Sequence, residues 1–135
     1  MKQAKIYIDG ACIGNPGKAG LGVVFYDEEE RQICEMSHYI GDATNNIAEY
    51  QALVSALKKA KEIGLESLFI YTDSELVARQ INGFYRVRDK DLKPLYNEAK
   101  QLIANFKGVR VRHISREKNK YADKLATQAV QQDTV

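Results

Sequence analysis

Leu68-Phe69-Ile70-Tyr71-Thr72, followed at once by Asp73, is the stretch around which the chain organises itself. An unbroken apolar run of this length, rich in β-branched and aromatic residues, predicts a strand covered on both faces, since a strand with one wet face alternates instead. Such strands belong to α/β architectures, which put helices on both sides of the sheet. Upstream, Leu53, Ala56, Leu57, Ala60 and Ile63 share one helical stripe over residues 47–63, and Gly64 closes that helix. Downstream, residues 74–80 predict a helix stopped near Gly83, and residues 92–106 another. Residues 109–114 predict a last strand, with Val109 and Val111 on one face and Arg110 and Arg112 on the other. A final helix over 119–131 turns Ala122, Leu125, Ala126 and Ala129 inward. Before all of these, residues 3–10 alternate as a strand and Gly14-Asn15-Pro16-Gly17 suits a type II turn. Residues 22–26 and 31–40 add two strands joined by the acidic Asp27-Glu28-Glu29-Glu30. The order βββαβααβα predicts an α/β fold: a five-stranded mixed sheet, antiparallel first and parallel later, with helices on its faces.

Composition narrows what such a fold is for. At 135 residues the chain is one domain, 1–135, with a single core. Hydrophobic residues at 44% and charged residues at 28% are ordinary for a globular protein, and no apolar run approaches a membrane span. The N-terminus enters a strand pattern at once and lacks a signal peptide's apolar core, and Cys12 and Cys34 fit no metal-ligand spacing or disulfide framework. The expectation is a cytoplasmic monomer with reduced thiols, no membrane contact and no obligate protein partner. Net charge is only +2, but basic residues cluster at Arg110, Arg112, Arg116, Lys118, Lys120 and Lys124. A second cluster, Arg86, Arg88, Lys90 and Lys93, follows the aromatic pair Phe84-Tyr85. Either could meet a phosphate backbone or simply be a solvated face.

Four acids stand where stability does not ask for them. Asp9 ends the first strand and Asp73 the buried fourth, and in open α/β sheets such strand ends border the functional crevice. Glu49 precedes Leu53, Ala56 and Ala60 by four, seven and eleven residues, so it heads the buried stripe of its helix. A carboxylate aimed at a core must be paired, hydrogen-bonded or metal-bound. Asp123 borders the buried face in the first turn of the last helix. Each has a structural alternative: Asp73 or Ser74 as an N-cap, Glu49 as the far end of a capping box from Asn46, Asp123 as a dipole partner, Asp9 as a turn residue. Brought together, four carboxylates would repel one another unless hard divalent cations sat among them, the arrangement of a two-metal phosphoryl-transfer site.

Five segments resemble type 1 ribonuclease H: Ile8-Asp9-Gly10-Ala11-Cys12, Gly14-Asn15-Pro16-Gly17, Thr44-Asn45-Asn46-Ile47-Ala48-Glu49, Tyr71-Thr72-Asp73-Ser74 and Asn119-Lys120-Tyr121-Ala122-Asp123-Lys124-Leu125-Ala126. They cover nearly the whole chain in the family's order and spacing. The resemblance implies the ribonuclease H-like fold and hydrolysis of the RNA strand of RNA–DNA hybrids, leaving 5′-phosphate and 3′-hydroxyl ends. It implies two Mg²⁺ ions, with Mn²⁺ as a substitute. Asp9 would bridge both; Asp123 would complete the ion that activates water, while Glu49 and Asp73 hold the other. His113, ten residues before Asp123, matches the family histidine that assists proton transfer or product release; from its position alone it would be a structural strand-end residue. Cys12, Asn15, Asn45 and Asn46 would approach the hybrid's minor groove, where 2′-hydroxyls distinguish RNA. Thr44 would help hold a DNA phosphate. The chain departs from some relatives in having no tryptophan and no room between residues 82 and 91 for a basic protrusion. That leaves a second reading, a hybrid-binding protein with weak or no turnover.

Overall fold

The computed structural model describes residues 2–133. Strands β1 (Gln3–Gly14), β2 (Gly17–Tyr26) and β3 (Gln32–Ala43) form an antiparallel meander. Helix α1 (Asn45–Glu62) then crosses to β4 (Ser67–Thr72), and α2 (Glu75–Ile81) and α3 (Lys93–Ile103) lead to β5 (Gly108–His113). A 3₁₀ turn (Arg116–Lys118) enters α4 (Lys120–Asp133). The sheet order is β3-β2-β1-β4-β5, with β4 parallel to both β1 and β5. The element order and mixed sheet read from the sequence are those observed, but the strand read as covered on both faces is covered on one. Burial alternates along β4, with Leu68, Ile70 and Thr72 buried and Phe69 and Tyr71 half-buried, because apolar content alone does not bring a helix over the second face. No helix among the described residues is long and apolar enough to cross a membrane.

Boundaries differ where local chemistry intervenes. β1 runs on to Gly14 and β2 begins at Gly17 because the two stay paired up to that point. Only Asn15 and Pro16 are left to link them, through a cis peptide bond. Proline therefore takes the second central position, not the first, and the type II turn expected from the sequence is not formed. At the other end of α1, Gly64 at φ +81° lets Leu65 N–H reach Ala60 C=O (3.0 Å) and Gly64 N–H reach Lys61 C=O (3.1 Å). This left-handed stop ends the helix one residue early and leaves Ile63 38% exposed, off the buried stripe. Pro94 in the first turn of α3 suits a helix start, where no N–H is needed.

The core lies between the sheet and the α1–α2–α3 layer, centred on Ile6, Ile8, Phe25, Leu53, Leu57 and Ile70. Helix α4 packs on the opposite face, over β1, β2 and β3. One glycine on β1 and one on β2 let the helices come close to the sheet beside Asp9. A Cβ on Gly10 would lie 2.5 Å from the Ala48 carbonyl carbon of α1, and one on Gly22 would lie 2.2 Å from the Ala122 carbonyl oxygen of α4. Gly10 follows Asp9 in sequence and Gly22 is its partner across β1–β2. Both close approaches therefore converge on one carboxylate.

Candidate active site

Parallel pairing puts Ile8 opposite Thr72, so the next residues, Asp9 within β1 and Asp73 just past the end of β4, lie side by side. Asp9, read from the sequence as a strand end, is a mid-strand residue because β1 stays paired with β2 beyond it. Helix α1 passes over Gly10, whose N–H donates to Glu49 Oε1 at 2.6 Å. One oxygen from each of Asp9, Glu49 and Asp73 lies within 4.8 Å of the others. Asp123 stands outside that tight trio but lines the same crevice. Its place is set by Asn119, which is 1% exposed. The Asn119 side-chain Nδ2 donates to Ile8 C=O at 2.8 Å, and the Asn119 backbone C=O accepts from Asp123 N–H at 3.1 Å. One residue thus fastens the start of α4 to the end of β1.

The structural alternatives for these acids resolve separately. Thr44, not Asn46, caps α1, accepting from Ile47 N–H at 3.2 Å. Glu49 therefore lies beyond the first turn and turns to the crevice instead of closing a capping box. Ser74 caps α2 by accepting from Val77 N–H at 3.2 Å, which leaves Asp73 free of that duty. Asp123 does sit in the first turn of α4, so its dipole role and its crevice role coexist.

Burial followed by the Glu49 charge raises the Asp9 carboxyl far above the ordinary carboxylate range. Burial raises Glu49 as well, against the Gly10 N–H and the charge of Arg116. Glu49 Oε2 and Asn119 Oδ1 are buried without a hydrogen-bond partner. Hard, anionic oxygens crowded together, with one buried oxygen left unmatched, suit a divalent cation.

The other residues expected at the site divide in two. Cys12, Asn45 and Asn46 line the crevice, whose volume is about 580 Å³. Asn15 Oδ1 accepts from Asn45 N–H at 3.1 Å, fastening the β1–β2 turn to the start of α1. Cys12 Sγ donates to Ala43 C=O at 3.0 Å. Thr44 is occupied as the cap, and its hydroxyl proton remains available. His113 is exposed at the end of β5, opposite Thr72, and is not among the residues that line the crevice. Arg116, from the 3₁₀ turn, does line it. Sequence reasoning left Arg116 inside a general basic stretch, because no spacing rule separates one arginine of a turn from its neighbours. Thr127 and Gln131 also line the crevice; they follow Asp123 by four and eight residues, a helical periodicity that could have found them.

A family described as reverse transcriptase-like matches residues 7–129. The chain is 38% identical to ribonuclease HI of Halobacterium salinarum over 92% of its own length and 62% of that protein's. A crystal structure of RNase H1 from the same organism superposes with a TM-score of 0.94 at 36% identity, covering 96% of this chain and 98% of that one. The structure of LC11-RNase H1 in complex with an RNA/DNA hybrid gives 0.93 at 37% identity, covering 98% and 99%. A bifunctional protein of Mycobacterium tuberculosis is 37% identical over 93% of this chain, which spans only 35% of that protein's length.

Proposed function

We propose, because the chain belongs to the ribonuclease H family, that it hydrolyses the RNA strand of RNA–DNA hybrids, leaving 5′-phosphate and 3′-hydroxyl ends. One observation carries the reading: carboxylates from β1, α1 and the end of β4 converge within 4.8 Å, with Glu49 Oε2 unmatched. Asp9, Glu49 and Asp73 would hold one divalent cation, and Asp9 with Asp123 a second. The cations would be Mg²⁺, with Mn²⁺ able to substitute. Bound there, they would neutralise charge on the scissile phosphate and lower the pKa of water. Asp9 belongs to the tight trio with Glu49 and Asp73 and shares the crevice with Asp123, which suits it to be the shared ligand. Arg116 brings a guanidinium into the crevice, where it offsets phosphate charge. His113, at the strand end nearest Asp73, would pass a proton to solvent or ease product release. Cys12, Asn15, Asn45 and Asn46 would face the hybrid's wide minor groove, where 2′-hydroxyls tell RNA from DNA. The Thr44 hydroxyl proton would go to a DNA phosphate. The reading extends to a monomeric, cytoplasmic domain, 1–135, and is supported by two free cysteines, Cys12 and Cys34.

Labelled RNA–DNA hybrid, RNA duplex and DNA duplex, each incubated with Mg²⁺ or Mn²⁺ beside an Asp73→Asn variant, provide the test. Hybrid-only cleavage that the variant abolishes is expected. Cutting of all three duplexes, or an unaffected variant, would overturn the proposal. Hybrid binding without cutting would point to a binding protein.

A further inference from the structure

Helix α4 covers only half of its face of the sheet. It packs on β1, β2 and β3, while α2 lies on the core side, where Asn82 Nδ2 donates to Val111 C=O at 2.9 Å. The outward face of β4 and β5 has no helix over it among the described residues. Register places Tyr7, Tyr71 and Arg112 in one row across β1, β4 and β5, and Lys5, Phe69 and Arg110 in the next. Tyr7 stacks on Tyr71 with centroids 4.9 Å apart, and Tyr26 meets Tyr7 edge-on at 5.8 Å. A recess of about 320 Å³ opens beside Tyr7, walled by Tyr26, Tyr121, Lys5 and Lys118. A smaller one lies among Phe69, Tyr71, Arg110 and Arg112.

We propose that this open half-face binds single-stranded nucleic acid running out of the crevice, a second contact that rests on the hybrid-cleaving reading and extends its substrate to hybrids with unpaired flanks. Three features favour that occupant. Arg110, Arg112 and Lys118 are exposed and have no ion-pair partner among the described residues, so they are free for phosphates; Lys5 is already paired with Glu30. Half-exposed aromatic rings beside cations are the chemistry that holds unpaired bases and their backbone without sequence choice. The surface is also continuous with the site: Tyr7 precedes Asp9 by two residues on β1 and so shares its face, and Tyr71 lies opposite Tyr7 two residues before Asp73. Arginines on an edge strand also discourage strand addition, but that leaves the half-exposed rings unaccounted for.

Fluorescence anisotropy of labelled oligo-dT and oligo-rU measures single-strand binding directly, because neither is a substrate duplex. Against Arg110→Glu/Arg112→Glu, binding should fall about tenfold and the wild-type affinity should drop steeply with salt. The same variant should cleave a blunt hybrid with unchanged kcat and KM, yet lose the lower KM that the wild type shows for a hybrid carrying a single-stranded tail. The chain has no tryptophan, so tyrosine emission reports the face: oligonucleotide should quench it, and Tyr71→Leu should reduce the quenching. The proposal is overturned if wild type and variant bind single strands equally, if the variant raises KM equally for blunt and tailed hybrids, or if polyglutamate displaces the oligonucleotide as well as unlabelled oligo-dT does. Failure to cut any hybrid would count against the nuclease reading alone, since single-strand binding is measured without cleavage.

Discussion

Glu49 and Tyr50 are neighbours on α1, both buried, and their surroundings are opposite in kind. The Tyr50 hydroxyl donates to Gln80 Oε1 at 2.5 Å, and Gln80 Nε2 donates to Arg86 C=O at 3.3 Å. Each polar group in that chain of contacts has a protein partner, and what it does is hold α1, α2 and the following loop together. One residue earlier, Glu49 has a single partner, Gly10 N–H, and its second oxygen has none. The same helix satisfies its buried polar groups where they serve the fold and leaves them unsatisfied where they serve a ligand. A buried carboxylate without partners costs stability, so the crevice is destabilising to the cation-free protein while the Tyr50–Gln80 contact is stabilising.

That contrast can be broken most sharply at Asp9. Asp9→Asn removes a buried ionisable carboxyl crowded against Glu49, so at alkaline pH the cation-free protein should melt at a higher temperature while hybrid cleavage falls by about a thousandfold or more. A lower melting temperature would show that the acids are structural. On the other side of the helix, Tyr50→Phe leaves Gln80 Oε1 without its donor and should cost about 1–3 kcal/mol in denaturant unfolding. Cleavage of the folded fraction should be unchanged. A neutral Tyr50→Phe would erase the distinction between the two sites.

The third prediction concerns pH. Burial raises both Asp9 and Glu49 above the values their carboxyls have in the unfolded chain. Folding therefore prefers their protonated forms. The associated stability is complete below the unfolded range near pH 4 and is lost as pH rises through the raised folded values, by up to about 1.4 kcal/mol per pH unit for one titrating group. Without divalent cation, the melting temperature should fall from weakly acidic to alkaline pH. Mg²⁺, which binds the ionised forms, should raise it more at pH 8 than at pH 5. Asp9→Asn should flatten both trends; a cation-induced gain independent of pH would contradict this account.

The smallest effect separates two basic candidates, Arg116 and His113. Arg116→Ala, in the crevice, should lower kcat/KM for a hybrid by about tenfold, the size of one charge-assisted contact. His113→Ala, outside it, should lower kcat by less and alter its pH profile. The reverse ranking would make His113 the weightier of the two and leave Arg116 a solvated residue.

Much of this was legible along the chain. The apolar run ending at Asp73 and the stripe that Glu49 heads each carry a period or a boundary that local chemistry imposes. The first strand was read as ending at Asp9, but pairing with β2 carries it on to Gly14. Ile63 was misplaced because a helical stripe does not record where a left-handed glycine stops the helix. The Asn15–Pro16 link was misread because turn chemistry depends on how far the flanking strands stay paired. Arg116 and Asn119 were invisible as site residues, since neither has a period to betray it. Asn119 matters through a contact with Ile8, 111 residues away.

By itself, then, the sequence determined the identity of the acids, the elements that carry them and the order of those elements, because backbone periodicity and capping are short-range. Only the tertiary structure decided their mutual distances. Parallel pairing of β1 with β4 set Asp73 beside Asp9, and two glycines too crowded to bear a side chain let α1 and α4 close on that pair. The bare half of the sheet was likewise a tertiary outcome, since a strand pattern shows which residues share a face but not whether a helix comes to cover it.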